Sequence, residues 1–263
     1  IETLRGEAEK AKQIHAQQNA FKRLRLNMWT ESVSRWVDAD LWDDQPDRMT
    51  LEELEGKSCY GGLDLSSTGD ITAFALYFPR ENGGGDILAY FWLPEDRLRQ
   101  RADRDRVPYL AWADQGLLEP TEGNYVDQDV IRRRVNELGN RFNIREIAID
   151  RWNAAQLTTQ LSGDGFVVVP FGQGFASMSA PTKETERLIL ARQLRHGGNP
   201  VLSWMCSNMS CETDAAGNTK PSKSKSTERI DGIVALIMAV GRASLNDGDD
   251  GSSVYEDRDM LIL

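Results

Sequence analysis

Apolar positions fall in short strand-like runs early in the chain and in helix-spaced stripes later. Tyr60, Leu63 and Leu65 make one run, Ile71 to Phe78 a second and Ile87 to Leu93 a third. Their aromatic and aliphatic content predicts strands. Ser66-Ser67-Thr68-Gly69-Asp70 separates the first pair, and Glu81-Asn82-Gly83-Gly84-Gly85-Asp86 the second. Turn residues there predict hairpins. Pro94 closes the third strand, and a charged helix is expected from about Glu95 to Asp105. Val107 to Tyr125, with turn signals at Gly116 and Gly123, reads as irregular. Val130, Ile131, Val135, Leu138 and Phe142 share one face of a helix over 127–142. Ile144 to Asp150 (IREIAID) predicts a fourth strand, Trp152 to Leu161 a helix, and Phe166 to Phe171 (FVVVPF) a buried fifth strand. Pro181 suits the first turn of the next helix, which carries Leu188, Ile189 and Leu194 and stops at Gly197-Gly198. Val201 to Met205 reads as a short strand, and Asn208 to Lys225 as a protruding polar hairpin or loop. Ile230, Ile233, Val234, Ile237 and Met238 give the last helix, over 227–245, a buried face.

Three hairpin-joined strands followed by βα units predict an α/β protein with a mixed five-stranded sheet, helices on both sides and an extra hairpin near the active site. Residues 1 to about 26 carry a thin helical stripe (Leu4, Ala8, Ala11, Ile14), expected of a linker helix. Asn27 to Pro46 places Trp29, Trp36 and Trp42 among acids and reads as a covering segment. The expected division is 1–56 as linker and cover, 57–245 as the core, and 246–263 as an acidic, glycine-rich, disordered tail. A start at Ile-Glu-Thr-Leu-Arg, without Met, suggests a piece of a longer chain.

Composition changes this picture little. The 263 residues are 40% hydrophobic and 27% charged, ordinary for a soluble domain. No run of 18 apolar residues exists, so no transmembrane helix is expected. Cys59, Cys206 and Cys211 are odd in number, lack zinc spacing and have only His15 and His196 to help them, so reduced thiols are expected. Cys206 and Cys211 read as small buried residues, and His196 as a helix C-terminal residue favoured by the dipole. The net charge of −10 argues against a protein that coats nucleic acid. Charge is uneven, however: residues 31–55 hold nine acids against Arg35 and Arg48, while 220–229 hold four bases against Glu228.

Three aspartates stand out. Asp64 lies inside the first strand, where carboxylates are scarce; Asp150 ends the fourth; Asp231 falls in the first turn of the last helix. Each has an ordinary reading, Asp64 as a solvent-facing strand residue and Asp231 as an acid favoured by the helix dipole. In open α/β sheets, however, sites form at the carboxyl ends of strands, where this topology lets all three meet. Carboxylates crowded together repel unless cations neutralise them, and hard oxygen donors suit Mg²⁺ or Mn²⁺. Two such ions roughly 3.5–4 Å apart support phosphodiester hydrolysis.

GGLDLSSTGDITA (61–73), IAIDRWNA (147–154), VPFGQGFASMSAPTKETERLI (169–189), HGGNPVLSWMCSN (196–208) and KSTERIDGIVALIMAVGRA (225–243), in this order, make the chain resemble the C-terminal nuclease domain of tailed-phage terminase large subunits. That family has a ribonuclease H-like fold. The resemblance implies metal-binding, catalytic aspartates at Asp64, Asp150 and Asp231. It further implies a metal-dependent endonuclease cutting concatemeric viral double-stranded DNA in the host cytoplasm, with the small terminase subunit, portal and procapsid as partners. The family's N-terminal packaging ATPase has no counterpart here, since no G-x-x-x-x-G-K-[ST] sequence occurs, and no ATP hydrolysis is expected. Lys183, Lys220, Lys223, Lys225 and Arg229 are candidates for phosphate contacts, with a solvated charged loop as the alternative. Trp152 and Asn153 are further candidates, with core packing the preferred reading for Trp152. DLSSTGD (64–70) also resembles the phosphate loop of actin-like ATPases and sugar kinases, but Ile149 to Asn153 lacks the glycine of their second loop. The non-catalytic reading is a module that docks the motor on the portal.

Overall fold

A computed structural model describes residues 4–8, 21, 25–26, 36–45, 49–66, 71–81, 83–96, 98–150 and 154–246. The central sheet is built from β1 (Ser58–Asp64), β2 (Thr72–Pro79), β3 (Gly85–Pro94), β4 (Glu119–Thr121), β5 (Asn143–Asp150), β6 (Val168–Phe171) and β7 (Leu194–Arg195). Its order is β4-β3-β2-β1-β5-β6, with β7 pairing on β3. The β1–β2 and β2–β3 pairs are antiparallel, and β5 and β6 add in parallel beyond β1. The expected five strands therefore form the body of a mixed sheet. The structure adds β4 and β7, three and two residues long, too short to show a period in sequence.

Around the sheet lie α1 (Ala39–Asp43), a 3-10 turn (Glu52–Leu54), α2 (Leu98–Asp105), α3 (Tyr109–Asp114), α4 (Gln128–Gly139), α5 (Ala155–Gly163), α6 (Phe175–Leu190), α7 (Pro200–Asn208) and α8 (Asp231–Asn246). Strand β2 shows how two cores form. Phe74, Leu76 and Phe78 point to a core shared with Ile131, Val135 and Leu138 of α4 and Leu157 and Leu161 of α5. The alternate Ala73, Ala75 and Tyr77 face the core holding α8. Both faces are covered, so β2 reads as a continuous apolar run. Small residues line the α8 side because the helix comes close. A Cβ built on Gly62 would stand 1.9 Å from the Ala235 carbonyl oxygen. No side chain fits there.

Several local expectations need correction. The stretch 107–125 is not irregular: it holds α3 and β4. Tyr109 and Trp112 anchor α3 against Trp204, with ring centroids 6.2 and 5.5 Å away. Residues 201–205 are helical within α7, because the Asn199 side chain accepts from the Val201 and Leu202 N–H groups and Pro200 opens the first turn. Pro181 sits in the middle of α6, not in its first turn, and α6 ends at Leu190. Arg192 then turns the chain at φ 53°, and Leu194–Arg195 pairs with Gly85–Asp86. Strand β6 is a half-exposed edge. His196 is not a helix C-terminal residue. It is buried, stacks on Trp42 at 4.2 Å and donates from Nε2 to the Trp42 carbonyl at 2.8 Å.

Trp36 and Trp42 are buried in the core, and the covering stretch, expected to be irregular, holds α1 around Trp42. All three cysteines are free; Cys59 and Cys206 are buried and Cys211 partly so. Trp29, Trp152, Asn153, most of residues 1–26 and the tail beyond Asn246 lie outside the described residues. Among the described residues, no helix is long and apolar enough to cross a membrane.

Candidate active site

Strands β1 and β5 run parallel with Leu63 opposite Ile149, so Asp64 and Asp150, one residue on, end neighbouring strands at the same carboxyl edge. Leu63 points to the α4–α5 core, so the alternation of the strand turns Asp64 to the α8 face. There α8 begins with Asp231. Its first turn is seated by Gly232, whose added Cβ would lie 2.6 Å from the Phe91 ring and whose N–H donates to Met205 Sδ at 3.0 Å. Gly62 and Gly232 thus allow the close approach that brings Asp64 and Asp231 together.

Asp64 and Asp231 are 2% and 3% exposed. Buried carboxylates are costly unless paired. Lys223 pairs both: its Nζ lies 3.0 Å from Asp64 Oδ2 and 2.6 Å from Asp231 Oδ1. Gln173 Nε2 donates to Asp64 Oδ1 at 3.2 Å. Among the described residues, the buried Asp231 Oδ2 has no hydrogen-bond partner. Asp150 is half-buried. Among the described residues, no three His, Cys, Asp or Glu side chains are gathered closely enough to hold a metal ion. The cation between Asp64 and Asp231 is the Lys223 ammonium.

Burial pushes the Asp64 carboxyl above the ordinary carboxylate range, Lys223 pulls it back, and Asp231 pushes it further up. Burial also works against charge on Lys223, but Asp64 and Asp231 outweigh it and hold the ammonium above the usual lysine range. Among the described residues, Lys223 supplies one positive charge to two buried acids.

Lys223 follows an accessory hairpin of β8 (Cys211–Thr213) and β9 (Thr219–Pro221), as expected of the polar stretch 208–225. Asp214 closes its turn, accepting from the Ala216 and Asn218 N–H groups at 2.9 Å each. The hairpin docks on α6 where the Thr219 N–H donates to Ser179 Oγ at 3.1 Å. A cavity of about 270 Å³ opens beside Lys223, lined in part by Gln173, Glu212, Lys220 and Ser222. A larger one, about 690 Å³, lies between β6, α6 and the end of α8. The smaller cavity touches the acids' partners Lys223 and Gln173.

The five basic candidates separate into different roles. Lys183 donates to the Gly217 carbonyl at 2.9 Å and ties the hairpin to α6. Lys220 pairs with Glu212 at 2.9 Å and covers the Phe175 ring. Lys223 is held by the two acids. Lys225 is exposed, and Arg229 is half-buried near Asp105 and Tyr109. Sequence reasoning missed Gln173. Its signal was position, since it follows the carboxyl end of β6 between Gly172 and Gly174.

The family model described as terminase large subunit, endonuclease domain, matches residues 1–247. The large terminase subunit of Enterobacteria phage HK97 is 36% identical over 240 residues, covering 90% of this chain and 47% of that protein. Protein YmfN of Escherichia coli (strain K12) is 31% identical over 260 residues, covering 95% of this chain and 57% of that protein. The crystal structure of the HK97 large terminase superposes with a TM-score of 0.72 at 35% identity, over 90% of this chain and 49% of that one. The chain spans about half the length of the curated relatives it matches.

Proposed function

This chain belongs to the terminase large subunit endonuclease-domain family, and from that membership we propose a metal-dependent endonuclease that cuts concatemeric viral double-stranded DNA during genome packaging. The observation that carries the reading is the buried Asp64–Asp231 pair at the carboxyl edge of the sheet, bridged by Lys223 and with Asp231 Oδ2 unpartnered. Buried carboxylate oxygens short of cation are hard donors, and they fit Mg²⁺ or Mn²⁺. Asp64, Asp150 and Asp231 would hold two such ions. When bound, the ions supply charge neutralisation, an activated water and stabilisation of the leaving oxygen.

The chain's own residues do the rest. Gln173 fixes the Asp64 carboxylate, and the α8 N-terminus favours negative charge at Asp231. Lys223 bridges Asp64 and Asp231 with a single positive charge. Lys183, Lys220 and Lys225 would contact the DNA backbone from the hairpin side, and Arg229 would contact it beside the end of α2. Residues 57–245 would form the nuclease, 1–56 the linker and cover, and 246–263 a tail. The small terminase subunit, portal, procapsid and a packaging ATPase region would be its partners, in the host cytoplasm. Plasmid nicking in Mn²⁺ tests the reading. Nicking is expected of the unaltered chain and lost in Asp64→Asn; full activity in that variant would defeat the assignment.

A further inference from the structure

The surface that follows rests on the endonuclease reading but lies on a helix that reading does not use. Asp64 is opposite Ala73, and Ala73 is opposite Phe91, so β3 ends at the same edge as the acids. Helix α2 starts just past Pro94, at that edge. Arg229 acts electrostatically on Asp105 and Tyr109, and Glu228 on Arg104, which places the end of α2 beside the segment leading into Asp231. The accessory hairpin instead docks on α6, which follows β6 at the other edge of the sheet. From β3 to β6 is four strand spacings, roughly 19 Å. That exceeds the width of a DNA major groove, about 12 Å.

Helix α2 and the residue after it carry Arg99, Arg101, Arg104 and Arg106 against Asp103 and Asp105. Arg104 and Asp105 neutralise each other at 2.5 Å. Among the described residues, Arg99, Arg101 and Arg106 have no ion-pair partner, and Arg99 and Arg106 are exposed. Arg101 stands two residues from Arg99, on the opposite face of the helix, and among the described residues its shielded Nη1 has no hydrogen-bond partner. Arg106 ends the helix at φ 55°, a left-handed conformation that normally selects glycine, so an arginine stands there against the local preference. Such departures gather at binding sites.

We infer that Arg99 and Arg106, both exposed, form a second phosphate-binding surface, which grips the DNA backbone on the β3 side of the acids while the accessory hairpin grips it on the other. The contacts are to phosphate, so they add affinity and orientation without sequence preference.

Binding of a labelled duplex, followed by anisotropy in EDTA across a salt series, tests this without cleavage. Replacing Arg99 and Arg106 by Gln together should flatten the slope of log K against log salt by about 2, near 0.9 per lost phosphate contact. Arg99→Lys with Arg106→Lys should keep the slope. Arg133→Gln, on α4, should leave it unchanged. An unaltered slope in the double Gln variant, with the parent chain still binding and nicking, overturns this inference alone. A parent chain that neither binds nor nicks removes the endonuclease reading as well.

Discussion

The Lys223 ammonium lies 2.6 Å from Asp231 Oδ1, and the same nitrogen reaches Asp64 Oδ2 at 3.0 Å. Two buried acids from distant parts of the chain share one cation whose stem is half exposed. Removing that charge should expose the full cost of burying them. Lys223→Met should lower metal-free stability by about 1–3 kcal/mol. Mn²⁺ should restore more stability in the variant than in the parent. Urea unfolding with and without Mn²⁺ reads both effects. Equal metal-free stabilities would show that Lys223 is not the neutralising group.

The pH dependence follows from Asp64. Burial raises its carboxyl to about 7 in the folded chain, against about 3.9 unfolded. The folded state therefore holds a proton that the unfolded state has lost. Stability from this group is full below about pH 4 and is lost as pH rises towards 7. In EDTA, the stability of the parent minus that of Asp64→Asn should fall across that window. A difference that is flat, or that rises with pH, contradicts the assignment.

Much of this architecture was legible because its signals are local. Asp64 interrupts an apolar run, Asp150 closes one and Asp231 opens a helix, so each marks an element boundary. The hairpin at 211–221 announced itself through its polar turn. Tertiary contacts hid the rest. Residues 109–114 become helical against Trp204, and Leu194–Arg195 becomes a strand only because β3 is there to pair with it. Val201 looked like a strand former, but the Asn199–Pro200 cap decided otherwise. No sequence pattern reveals that Lys223 folds back onto the acids.

The close approach of β1 and α8 gives a packing prediction. In Gly62→Ala, the new methyl would meet the Ala235 carbonyl oxygen at 1.9 Å, and backbone must move. The cost should be about 1–3 kcal/mol or more. Because the shift separates Asp64 from Asp231, Mn²⁺ affinity should fall too. Thermal unfolding and calorimetric titration check the two parts.

Away from the acids, Asp86 is fully buried and is held by Arg195 through 2.6 and 2.8 Å contacts, with Arg80 at 3.7 Å. Arg195→Met strands most of that charge and should cost about 3–5 kcal/mol. Adding Asp86→Asn should recover part of the loss, since the buried charge is gone. Urea midpoints of the single and double variants test this, and additive losses would contradict it.

The most direct test of the central claim is an anomalous-scattering map from crystals soaked in Mn²⁺. The account predicts manganese peaks bounded by Asp64, Asp150 and Asp231, with Lys223 Nζ moved off at least one carboxylate. A soaked crystal with no peak there, and with Lys223 still bridging Asp64 and Asp231, would contradict it.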